Sequence, residues 1–293
     1  MKKRIASIAL SLAMCLTLLP TAAYAEDVSE GGAFDSQSST GNGAAVYANE
    51  DTVDDTNEDN GVSLYSGGSG TKEDPWVIST VDDLVNDGED YNGKYFIQDT
   101  DLDLMGITWE PIGYTDGDYY FSGHYDGKNH SISNATSTGK VDEDGQATVG
   151  IFGCIIEGSV SNLHVKNAVF SANSEGGYSL AGGIAGITFD SDITNCSVEN
   201  SSLKGEKTLV ANNACVGGIT GYSVHGIFQN CASVNNKIIS QTYAGGIVGE
   251  IDDSISNNEG ASAFTNCYVA EGNISAFADD VQVMETSVKG YFS

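Results

Sequence analysis

Basic side chains are scarce in this chain: 12 Lys and Arg stand against 41 Asp and Glu, a formal net charge of −29. So acidic a surface repels phosphate backbones and anionic headgroups, which argues against nucleic acid or membrane surfaces as partners. Three of the twelve, Lys2, Lys3 and Arg4, precede the one long apolar run, IASIALSLAMCLTLLP, and the small-x-small triplet Ala23-Tyr24-Ala25 follows it. That pattern is an export signal at 1–25, cleaved after Ala25, with an apolar core too short for a comfortable span. Cleavage leaves nine basic residues and a formal charge of 9 − 41 = −32. No later stretch approaches the about 18 apolar residues of a transmembrane helix. The expectation is a soluble, monomeric protein outside the cytoplasm, with no membrane insertion after cleavage.

Cysteine and histidine are also few. Of six cysteines, Cys15 lies in the signal, leaving Cys154, Cys196, Cys215, Cys231 and Cys267. An odd number at wide spacing is not a small disulfide framework, and the lack of CxxC argues against structural zinc. The histidines are His124, His130, His164 and His225, none in HExxH or another metal spacing and none with a partner visible in sequence.

What is abundant is glycine, 36 residues, and acid. Residues 26–70 hold ten acidic residues and no Lys or Arg; with so little to bury, they read as a disordered acidic spacer. Folding is expected to begin at Thr71. A short strand at Trp76 to Ile78 leads to a brief helix whose Thr80 and Asp83 have capping-box spacing. KYFIQDTDLDL alternates, with Phe96, Leu102 and Leu104 on one side and Tyr95, Ile97, Asp99, Asp101 and Asp103 on the other, and reads as strand. Residues 71–148 are thus a cap with the first coils.

From Val149 a phrase recurs: VGIFGCIIEGSVSNLHVKN, AGGIAGITFDSDITNCSVEN, VGGITGYSVHGIFQNCASVN, and a longer fourth copy. Its last glycines are Gly153, Gly186, Gly221 and Gly249, and its asparagines Asn162, Asn195, Asn230 and Asn266. The gap between them is nine residues in three copies and seventeen in the fourth, an eight-residue insertion within IDDSISNNEGASAF. Constant internal spacing with variable outer spacing is the mark of a solenoid. The short, β-branched, two-periodic segments make it a β-solenoid over 149–276, all-β with parallel sheets. Its inward positions include Ile151, Ile184, Ile219, Ile247, Val165 and Val198. The tail, 277–293, breaks the pattern as a cap or a truncated repeat.

The ordered succession GSGTKEDPWVISTVDDL, DLDLMGITWEPIG, FSGHYDGKNHSISN and then the GIFG and GGIxG phrases followed by NC resembles secreted bacterial surface proteins carrying the GLUG motif. The resemblance implies a right-handed β-helix behind a signal peptide, in an adhesin-like setting. No LPxTG-type sorting signal, surface-layer homology module or C-terminal catalytic domain is recognised beside it.

Several patterns invite chemistry and have plainer readings. The Gly pairs lack the following helix and Lys of a phosphate loop, so they read as turns and close backbone packing. The four Asn stack as a ladder rather than a ligand site. Cys196, Cys231 and Cys267 share an inward slot with Leu163 and read as buried free thiols. Asp99, Asp101, Asp103 and Glu110 match four positions of a calcium loop, yet Leu104 stands where its Gly belongs. Four residues after each last glycine come Glu157, Asp190, His225 and Asp253, a partial acidic column. Carboxylates converging from neighbouring coils are what a β-helix polysaccharide lyase or glycoside hydrolase needs, and this column is the enzyme alternative. No catalytic, cofactor or metal residue is assigned. The leading expectation is a non-enzymatic surface module, binding a glycan or host surface protein through the fourth-copy insertion or through Tyr114, Tyr119, Tyr120 and Tyr125. A passive stalk is the blander alternative.

Overall fold

The computed structural model describes residues 65–85, 91–114, 119–207, 213–255, 261–278, 281–286 and 290–292; residues 1–64, on which the expected export signal and most of the expected spacer fall, lie outside them. The described chain is a parallel β-helix, as expected. Its first sheet stacks Trp76–Ile78, Tyr95–Gln98, His124–Asp126, Ser159–Ser161, Asp192–Thr194, Ile227–Gln229 and Ala263–Thr265. A second sheet has two limbs. One carries Leu102–Asp103, Ser131–Ser133, His164–Lys166 and Ser197–Glu199, the other Thr136–Ser137, Val169–Asn173 and Ser202–Glu206, and the long strand Ala232–Ser240 joins them. The third sheet runs through Lys140–Val141, Ala147–Val149, Ser179–Gly182, Ala214–Gly217 and Tyr243–Gly245, the fourth through Phe152–Ile156, Ala185–Phe189, Thr220–Val224 and Val248–Ile251. One coil therefore visits the first sheet, both limbs of the second, then the third and fourth, before the next begins.

Alternation drives the packing. Ile151, Ile184, Ile219, Val165 and Val198 are fully buried and Ile247 nearly so, all within one continuous core. Each such side chain contributes about 1.5–3 kcal/mol when buried.

The corners carry the asparagines. Asn162, Asn195, Asn230 and Asn266 sit at φ of 53°, 55°, 54° and 52°, left-handed backbone that Asn tolerates better than other residues bearing a Cβ. Their amides form the expected ladder: Asn195 Nδ2 donates to Asn162 Oδ1 at 3.0 Å, Asn230 to Asn195 at 2.8 Å and Asn266 to Asn230 at 3.1 Å. At the base Asn162 donates to Asp126 Oδ1 at 2.8 Å. An ionised carboxylate only accepts, so Asp126 orients every amide above it.

A second ladder stands five residues further on and escaped the sequence reading. Asn134, Asn167, Asn200 and Asn235 are also left-handed. Asn134 donates to Asp103 at 2.7 Å, Asn167 to Asn134 at 3.4 Å and Asn235 to Asn200 at 2.7 Å. The spacing was visible as N-x4-N in VSNLHVKN, TNCSVEN and QNCASVN.

The glycine phrase works by lack of a side chain rather than by unusual φ. A Cβ on Gly186 would lie 2.9 Å from Gly153 O and 3.1 Å from Leu180 O. The fourth sheet can therefore lie close against the third.

Two expectations need correction. KYFIQDTDLDL is not one strand: Tyr95–Gln98 belongs to the first sheet and Leu102–Asp103 to the second, with a corner between. Phase survives the corner because Phe96, Leu102 and Leu104 all remain buried. Folding also starts before Thr71. Tyr65 is buried and stacks on Trp76 at 4.7 Å, and Ser66 N donates to Val77 O at 3.2 Å; aromatic area outweighs the polar composition around it. The tail strands Val281–Thr286 and Gly290–Phe292 pair antiparallel to Cys267–Ala278, unlike the parallel coil-to-coil pairings.

The cap helix, Val81–Val85, has the expected box: Asp83 N donates to Thr80 Oγ1 at 3.1 Å and Thr80 N to Asp83 Oδ2 at 2.8 Å. Burial would raise the Asp83 carboxyl, but hydrogen bonds from Ser66, Ser79 and Thr80 together hold it below the usual carboxylate range. A depressed carboxyl stabilises the fold above its unfolded pKa and loses that contribution as pH falls. Asp83→Asn should therefore cost about 1–3 kcal/mol at neutral pH in urea unfolding, and the gap to wild type should narrow below about pH 4. In the ladder, Asn195→Gly keeps the corner and loses side-chain bonds worth about 1–3 kcal/mol in total. Asn195→Ala should cost about 1–2 kcal/mol more, because alanine is strained there.

Candidate functional site

The acidic column lies at the corner between the fourth and first sheets. Glu157, Asp190 and His225 occupy equivalent left-handed positions, at φ of 52°, 44° and 48°. His225 Nδ1 is 3.0 Å from Asp190 Oδ1, and the His225 N–H donates to Asp253 Oδ1 at 3.0 Å. Asp253 also accepts from Ser262 N at 2.9 Å and Ser262 Oγ at 2.8 Å. Burial would raise this carboxyl, and the bonds from Ser262 and His225 outweigh it, holding Asp253 low. The column therefore recurs from coil to coil, and the carboxylates of Asp190 and Asp253 are engaged at its corner. Asp253 ties the two ends of the fourth-copy insertion, whose residues 256–260 lie outside the described residues.

A general base must reach a substrate, normally within a cleft. Among the described residues, two pockets hold about 20 Å³, lined by cap residues such as Tyr65, Phe96 and Tyr125, and about 10 Å³, lined by residues such as Ser233, Asn236 and Ile274. Each has room for roughly one water. Neither includes a residue of the column.

All four histidines find partners that the sequence did not show. His124 Nδ1 lies 2.9 Å from Ser159 Oγ, with the Tyr95 ring tilted 33° against its own at 4.5 Å. His164 Nδ1 is 2.8 Å from Ser197 Oγ, and His130 Nδ1 is 3.4 Å from Asp101. Burial first, then a nearby lysine, lowers the affinity of His124 and His164 for a proton. Ser197 Oγ donates to Glu199 Oε1 at 3.1 Å, so His164 donates to the serine. That polarity is the reverse of a nucleophile activated by a base. The pairs cross from coil to coil, and register alone could have revealed them.

Two of the four calcium-loop residues are similarly occupied. Asp103 Oδ1 accepts from Met105 N and Asn134 Nδ2, and Asp101 Oδ1 from Ser131 N. Among the described residues no three His, Cys, Asp or Glu side chains are grouped to hold a metal ion.

The tyrosines divide. Tyr125 is core, its hydroxyl donating to Gln98 Oε1 at 2.9 Å. Tyr114 and Tyr119 stack at 5.0 Å with an interplanar angle of 12°, and Tyr114 N donates to Tyr119 O at 3.0 Å. Tyr119 is 59% exposed, and Lys140 Nζ sits 3.8 Å from the Tyr114 ring centre.

All five described cysteines are buried and free. Cys231 Sγ donates to Ile193 O at 3.2 Å and Cys267 Sγ to Phe228 O at 3.4 Å, so the column is tied to backbone. Burial pushes the Cys196 thiol up to about 12 and Cys154 and Cys215 upward as well.

With a parallel β-helix and its corner columns in place, the chain can be set beside known proteins. The family model described as the GLUG motif matches residues 177–203, one coil from the loop before Ser179–Gly182 to the strand Ser202–Glu206. A protein of Evansella cellulosilytica described as a Gly-rich membrane protein is 35% identical over 146 residues, 47% of this chain and 16% of that protein. Halomucin of Haloquadratum walsbyi is 31% identical over 173 residues, 54% of this chain and 2% of that protein. The matched region thus spans a small fraction of both relatives. A crystal structure from Bacteroides ovatus, described as an immunoglobulin A1 protease, overlays with a TM-score of 0.44 at 21% identity, covering 78% of this chain and 85% of that one. That likeness is too distant to carry an argument about activity. Among the described residues no helix is long and apolar enough to cross a membrane.

In the native mature protein a thiol reagent should label none of the five cysteines quickly, and all five after unfolding without reductant. A count two short after unfolding would mean a disulfide instead.

Proposed function

We propose that this chain is an exported, extracellular surface module that binds glycans, adhesin-like and without catalysis of its own. The observation that carries the reading is the Tyr114–Tyr119 pair. Stacked on Tyr114 and accepting its backbone N–H, Tyr119 is 59% exposed, where burial would be the favourable fate of an aromatic ring. A rigid exposed ring suits the apolar C–H face of a sugar, and it loses little side-chain entropy on binding. A charge of 9 − 41 = −32 on the chain after Ala25 disfavours sialylated or sulfated ligands, so the expected partner is a neutral glycan, free or on a host surface protein. The export pattern of 1–25 supports an extracellular location. The names of the two relatives, a Gly-rich membrane protein and a halomucin, agree with a cell-surface setting.

The test is a glycan array with the mature chain and two variants. Neutral glycans should bind wild type, and Tyr119→Ala should weaken the best of them about tenfold, or about 1.4 kcal/mol, with an unchanged melting temperature. Deleting 256–260 reports on the insertion as a second contact. Binding that survives Tyr119→Ala undiminished would discard the aromatic pair as the contact. Release of new reducing ends from a bound polysaccharide, lost in Asp190→Asn, would replace this reading with the lyase or hydrolase one.

A further inference from the structure

The loop ahead of the first strand, Trp76–Ile78, contains the one Asp-Pro bond of the sequence, Asp74–Pro75. The carbonyl oxygen of that bond draws several donors: Ser69 N donates to Asp74 O at 3.0 Å, Thr71 N at 3.2 Å and Ser69 Oγ at 3.4 Å. Asp74 N donates in turn to Thr71 Oγ1 at 3.2 Å, so the residue is held on both sides. Two glycines let the loop close this tightly. Gly68 and Gly70 stand at φ of 85° and 73°; a Cβ on Gly68 would run into Pro75 O, and one on Gly70 would lie 2.8 Å from the Trp76 ring. The exposed Asp74 carboxyl, by contrast, has no hydrogen-bond or ionic partner among the described residues and is free to turn toward its own carbonyl.

An Asp-Pro bond is chemically disposed to break. The carboxyl oxygen is an intramolecular nucleophile, one five-membered ring away from the carbonyl carbon. Proline, whose nitrogen carries no N–H, leaves as a basic secondary amine. Attack puts negative charge on the carbonyl oxygen, and that is the atom on which Ser69 and Thr71 converge.

We propose that Asp74–Pro75 is a self-processing site, cut by the Asp74 carboxyl while the amides of Ser69 and Thr71 stabilise the oxyanion. The carboxyl oxygen of Asp74 adds to the Asp74 carbonyl carbon and closes a cyclic anhydride; the carboxyl proton passes to the Pro75 nitrogen as the C–N bond breaks. Water then opens the anhydride, leaving two carboxyl groups on Asp74 and a free amine at Pro75. Because the carboxyl proton is consumed, mild acid favours the step. The charged neighbours are Lys72 and Glu73 of the same exposed loop, Asp83, which accepts from Ser66 Oγ at 2.7 Å, and Lys94, whose ammonium lies 5.3 Å from the Trp76 ring centre. The cut leaves the two pieces in contact. Tyr65 stacks on Trp76 at 4.7 Å, Val77 N donates to Gly67 O at 2.8 Å and Tyr95 N to Gly70 O at 3.0 Å. Cleavage thus turns a covalent joint between the acidic segment and the β-helix into a clamped one. It happens once per chain, without turnover of another molecule, and is independent of glycan binding at Tyr119.

The experiment incubates the mature chain in mildly acidic buffer, folded and in concentrated urea, and follows it by denaturing electrophoresis and intact mass. Fragments 26–74 and 75–293 should appear about tenfold faster or more from the folded chain, because only the fold assembles the donors. Hydroxylamine should trap the anhydride as a hydroxamate on Asp74. Asp74→Glu, which needs a larger ring, and Pro75→Ala should each slow cleavage about tenfold or more while the circular dichroism melt stays unchanged. In gel filtration without denaturant the fragments should elute together. No cleavage, equal rates with and without urea, no hydroxamate, or undiminished cleavage of Asp74→Glu would each overturn self-processing, and fragments that separate without denaturant would overturn the clamp.

Discussion

Each coil must turn corners in a backbone conformation that most side chains resist, while holding register with the coil beneath. The left-handed asparagine meets both demands with one side chain. Its φ makes the turn, and its amide donates downward and accepts from above. Because Asp126 and Asp103 can only accept, each ladder has a direction imposed from the cap. The rest of the molecule, including core columns and surface columns, inherits its alignment from these corners.

A second constraint acts between the third and fourth sheets, where glycine permits one backbone to lie against another. Beyond that contact the outer faces carry their own small cluster. Leu180 and Cys215 of the third sheet are buried there with Ile187 and Tyr222 of the fourth. Register continues these columns into Tyr243 and Glu250 at the last coil, so an apolar column ends in an ionisable one. The polarity of this end follows from where the columns stop.

The same corner geometry gives the acidic column its repeat. Residues at left-handed turns recur by position, and polar side chains are favoured there whether or not chemistry is performed. Asp253 binds backbone and Ser262, and Asp190 faces His225, so their lone pairs serve the turn and the base of the insertion. The aromatic loop differs, since Tyr119 remains exposed after its local bonds are made.

The solenoid, its parallel sheets, the inward Ile and Val, the first Asn ladder and the buried thiols were legible in sequence because each depends on a repeated spacing, and a repeat shows itself along one dimension. The second ladder is equally periodic, its N-x4-N spacing lying beside the Asn-Cys pair in the second and third copies. The corner within KYFIQDTDLDL was hidden, since a turn that preserves alternation leaves no break in the pattern. Burial of Tyr65 was masked by the acidic residues before it. What only the tertiary structure decided is which coil residues meet: His124 with Ser159, His164 with Ser197, and Glu250 with Cys215. Sequence spacing determines the coil, whereas coil-to-coil contacts depend on register between strands more than thirty residues apart and on where the stack ends.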